Sequence, residues 1–73
     1  MISELIKKAN AAAAAYTTAL LNNPQLSEAD AITAAYAQDF SDWRGVGFTD
    51  FNFHQYELAF GLELVRLSQP SGQ

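Results

Sequence analysis

An all-α fold, a small three-helix bundle that self-associates, is the class this sequence predicts, and three observations predict it. Apolar residues recur at three- and four-residue spacing along three separate stretches. Two breaks, Asn22-Asn23-Pro24 and Gly45-Val46-Gly47, divide those stretches with residues that end helices. Finally, 73 residues that are 49% apolar and contain no cysteine make one small core with no disulfide to support it. At that size apolar burial roughly balances the entropy of ordering the chain, so burial against another chain is the expected support. Residues 1–68 are expected to form a single helical domain, and 69–73 a flexible C-terminal tail.

The first helix is predicted over 2–22. At about 100° per residue, Ile2, Leu5, Ile6, Ala9, Ala13, Tyr16 and Leu20 fall in one stripe. The run Ala11 to Ala15 has high helix propensity and a thin surface that another helix can approach closely. Lys7-Lys8 ahead of that run imitates a signal peptide poorly, because Ile2, Leu5 and Ile6 precede the charges and Asn10, Thr17 and Thr18 interrupt the apolar stretch. No uncharged apolar run approaches the length that crosses a bilayer, so no membrane partner is expected and the location is read as cytoplasmic.

A second helix is predicted over 27–43, with Ser27 as its N-cap, Asp30 at the capping-box position and acids in the first turn. Ala29, Ile32, Tyr36, Phe40 and Trp43 make one aromatic stripe along it. After the glycine turn, Thr49 or Asp50 can cap a third helix over 51–68. The aromatic alternation within Phe48 to Tyr56 also suits a short strand, but helical spacing continues through Leu67, too far for one.

The third helix is apolar on two sides. Phe53, Tyr56, Phe60, Leu64 and Leu67 project one way, and Phe51, Leu58, Leu62 and Val65 the other, with polar strips between them. Either the other two helices straddle it and cover both faces, or one face meets a second molecule. The second reading is adopted, because a short chain without disulfides gains most from such burial. Gly61 in this helix would suit a close helix approach.

Chemistry has little to work with. His54 and Glu57 lie one turn apart, but a metal needs three or four ligands and there is no other His and no Cys. Ser27 and Ser41 have no adjacent base, and Gly45-Val46-Gly47 lacks the strand, third glycine and lysine of a phosphate loop. Eight acids against Lys7, Lys8, Arg44 and Arg66 leave a net charge of −4, a poor basis for contacting phosphates. A helix-turn-helix is rejected for the same reason, since the third helix would offer Phe, Tyr and Leu to the groove.

The expected function is therefore a non-enzymatic protein–protein interaction, of the kind a phage or mobile-element inhibitor or regulator of a host protein performs. No catalytic residue, metal, cofactor or direct nucleic-acid contact is expected. Expected contact residues are Phe51, Leu58, Leu62 and Val65, together with Trp43, Arg44, Asp39, Asp42 and Asp50 around the glycine turn. Two other readings stand beside this one: an acidic charge mimic that blocks a basic surface, built on Asp39, Asp42 and Asp50 with Glu57, and a small structural or oligomerisation subunit. The expected partners are an unidentified protein and further copies of the chain.

Overall fold

The structure is a computed structural model that describes residues 2–42 and 50–69, leaving aside the side chains of Ile2 and of residues 40–42. Three helices pack against one another: α1 (Ile2–Asn22), α2 (Glu28–Asp42) and α3 (Asp50–Ser68). The most extensive packing is between α1 and α3. Among the described residues there is no strand, and the stretch from Asp50 onward is helix. An isolated extended segment would leave its backbone N–H and C=O groups without a partner strand, whereas the helix satisfies them internally. Trp43, the Gly45-Val46-Gly47 turn, Thr49 and the end of the expected tail lie outside the described residues.

The α1–α2 corner is built by local chemistry. The Asn23 N–H still donates to the Ala19 carbonyl at 3.0 Å, and the Leu26 N–H donates to the Asn23 carbonyl at 3.0 Å, closing a turn around Pro24. Asn23 Oδ1 accepts the Gln25 N–H at 3.3 Å, the side-chain turn for which Asn is favoured before Pro. Ser27 then caps α2: its Oγ accepts the Asp30 N–H at 3.3 Å, and its carbonyl accepts the Ala31 N–H at 2.9 Å. The helix accordingly begins at Glu28, with Ser27 as its flanking cap. Ser27→Ala is expected to lower stability by about 1 kcal/mol. The check is a fall in the urea midpoint with an unchanged slope.

The buried side chains come from all three helices: Leu5, Ala9 and Ala13 from α1, Ile32 and Tyr36 from α2, Tyr56, Ala59 and Phe60 from α3. Small residues on α1 and α3 allow these two helices to come together, and aromatic rings fill the remaining space. Tyr36 stands edge-on to Phe53 at 5.1 Å and to Tyr56 at 5.2 Å, while Tyr16 meets Phe60 at 5.7 Å. Such tilted and edge-to-face pairs set the positive ring edge against the negative ring face.

Four positions depart from the projected stripes. Ile6 and Leu67 are each 38% exposed, and Ala29 is exposed, although all three fall on apolar stripes of their helices. Ala59 is buried although no stripe included it. A helical wheel gives the direction of a side chain but not the reach of its neighbours on other helices.

Candidate interaction surface

Both neighbours of α3 pack on one side of it. Phe60 meets Tyr16 of α1 and Tyr56 meets Tyr36 of α2, so α1 and α2 cover the Phe53, Tyr56 and Phe60 face together. They do not straddle the helix. The opposite face stays open: Phe51 is 64% exposed, Leu58 49%, Leu62 71% and Val65 55%. These are the four residues that the helical projection grouped on the second face.

A groove of about 350 Å³ runs beside this face, between α1 and α3. Ile6 and Asn10 form its α1 wall, and Gln55, Ala59 and Leu62 its α3 wall. Glu63 and Arg66 complete the lining, joined by a two-pronged pair in which Arg66 Nε and Nη2 donate to the Glu63 carboxylate at 2.8 and 2.6 Å. The hydrogen bond from Arg66 holds the Glu63 carboxyl below the usual carboxylate range, and Glu63 in turn raises the guanidinium. Leu62 belongs both to the open face and to the groove, so the two form one continuous surface.

Gly61 does not serve a close approach among the described residues, because a Cβ added there would meet none of them within 4 Å. Its cost in helix propensity, about 1 kcal/mol relative to Ala, has no packing return among the described residues.

The acidic positions are less coherent than the apolar ones. Asp39 is half-buried, and its Oδ2 accepts the Tyr56 hydroxyl at 2.6 Å, a bond that ties α2 to α3. Burial, and then the Asp39 carboxylate, push the Tyr56 phenol far above its ordinary pKa. Asp50 is exposed in the first turn of α3, where an acid complements the helix dipole. The Asp42 side chain, Trp43 and Arg44 lie outside what is described. His54 Nδ1 and Glu57 Oε1 are 3.8 Å apart, with both side chains more than half exposed. Among the described residues there is no group of three or more His, Cys, Asp or Glu that could hold a metal ion. None of the described helices is long and apolar enough to cross a membrane.

The sequence reading missed the groove residues Ile6, Asn10, Gln55 and Ala59 as members of a surface. Their juxtaposition depends on how α1 lies against α3, and neither helix carries a signal for it. The Glu63–Arg66 pair did carry one, since opposite charges three residues apart on a helix are neighbours. No protein-family model matches this chain, and no curated protein or solved structure was found to be similar to it.

Proposed function

We propose that this protein works by binding a protein surface rather than by catalysis, and that the outer face of α3 is where it does so. The observation that supports this reading is the set of four large apolar side chains, half to three-quarters exposed, along the helix side opposite the core. Fully burying a side chain of this kind is worth about 1.5–3 kcal/mol, so the face represents several kcal/mol of unrealised stabilisation. A contiguous apolar patch on a small protein commonly marks an interaction site. A small, acidic, cysteine-free binder of this type suits a regulator or inhibitor carried by a phage or mobile element, a class supported by size and composition. The apolar face is preferred to the acidic positions as the contact because Asp39 is already engaged by Tyr56.

The test is a photo-crosslinking amino acid placed at Leu58 and, separately, at Leu62 in the native cell, with exposed Thr18 of α1 as the control position. A discrete adduct from position 58 and none from position 18 is the expected result. Should positions 58 and 62 both label no more than position 18, the outer face is not a contact surface and the proposal fails.

A further inference from the structure

We infer that the occupant of this surface is a second copy of the same chain, seated so that the apolar ridge of each copy enters the α1–α3 groove of the other. The inference rests on the preceding reading of the outer face as a contact surface, and adds who the partner is and how it docks.

An isologous two-fold contact requires one patch to carry both a projection and its complement. Here Leu58 and Val65 form the ridge, the groove lies beside it, and Leu62 stands between the two. A two-fold axis running along α3 near Leu62 sets each ridge over the other copy's groove. A cavity of about 150 Å³ already holds benzene. A groove of about 350 Å³ therefore has room for large apolar side chains from a partner.

Two copies of a chain with net charge −4 repel one another unless they meet through a patch that is locally neutral. On this patch the Glu63 carboxylate is neutralised by Arg66 and the other groove-lining residues are uncharged. A basic partner would find no excess of acid to attract it here, whereas a second copy finds no repulsion.

At 1.5 Å per residue the 19 residues of α3 span about 28 Å. With the adjoining wall of α1, about one helix diameter away, the patch is on the order of the ~800 Å² per partner that a stable interface takes. Three of the buried side chains are alanines, Ala9, Ala13 and Ala59, so internal burial is modest and the gain from pairing is correspondingly important. A copy of the same chain is a partner present wherever the protein is made.

The experiment is the solution mass of the purified chain by sedimentation across a dilution series, with helicity followed on the same samples. Twice the chain mass of 8.0 kDa is expected at high concentration. Leu62→Asp should weaken pairing at least tenfold with helicity retained, and Leu62→Gln replaces it if the aspartate variant loses helicity. Because the natural chain has no cysteine, Leu58→Cys mixed with Ile6→Cys gives a clean geometric check. Random pairing of an equimolar mixture gives mixed disulfide equal to the sum of the two like-with-like products, so a mixed product clearly above that sum supports ridge in groove. A monomer at every concentration, a dimer indifferent to both Leu62 changes, or no excess of mixed disulfide overturns the inference. If the chain is monomeric while position 58 still crosslinks to a different protein in the cell, the interaction reading stands and only the second copy is refuted. Monomer together with no crosslink refutes both.

Discussion

Phe60→Ala is expected to remove a large part of the stability of the chain, about 3–5 kcal/mol. Phe60 is fully buried, meets Tyr16 of α1, and belongs to the core that joins the three helices. Truncating a buried Phe to Ala costs roughly 3–5 kcal/mol through lost transfer energy and the cavity left behind. Domains carry about 0.05–0.15 kcal/mol of stability per residue, so a chain of 73 residues has roughly 4–11 kcal/mol in total. The loss is thus comparable with the whole stability at the lower end of that range. Phe51→Ala is the matched control, because Phe51 lies on the same helix but is 64% exposed. Far-ultraviolet circular dichroism under urea should show Phe60→Ala unfolded or with a greatly lowered midpoint, and Phe51→Ala close to wild type at concentrations where the chain is monomeric. A wild-type midpoint for Phe60→Ala would mean that the face assigned to the core has been misplaced.

Tyr56→Phe is expected to cost about 1–2 kcal/mol, and the cost should depend on pH in one direction. The change removes a single oxygen while keeping the ring against Tyr36. It deprives the half-buried Asp39 carboxylate of a 2.6 Å donor. Hydrogen bonds to charged groups are worth about 1.5–3 kcal/mol, and partial access of water to Asp39 places this one toward or below the low end. The phenol's pKa is raised in the folded chain above its ordinary 10.0, first by burial and then by Asp39. The folded state therefore keeps the proton after the unfolded state has released it. The stabilisation is fully present below pH 10.0 and declines as pH rises beyond it. Urea titrations of both proteins should show the wild-type advantage steady at neutral pH and shrinking above about pH 10. An advantage of constant size through the alkaline range would show that the hydroxyl is not held as described.

The groove and the open face differ in how much of each was legible. Phe51, Leu58, Leu62 and Val65 could be grouped from sequence because they belong to one helix, whose 3.6-residue period fixes their common direction. Ile6, Asn10, Gln55 and Ala59 could not be assembled, because they come from two helices whose crossing is set by packing. Leu67 and Ala59 make the same point within α3. Leu67 shares the direction of the core face yet is 38% exposed, and Ala59 lies toward its edge yet is buried.

What the sequence determined by itself is everything carried by contacts a few residues apart. The corner of Asn23 and Pro24, the Ser27 cap and the helical spacing of the three stretches act over two to four residues, so composition and order are enough to define them. The sequence also made α3 apolar on two opposite sides. Which side became core was decided only in the tertiary structure, where α1 presents Ala9 and Ala13 and α2 inserts Tyr36 beside Tyr56 on the same side. Burial belongs to pairs of surfaces, and two similarly apolar faces of one helix are not distinguished until their neighbours have chosen between them.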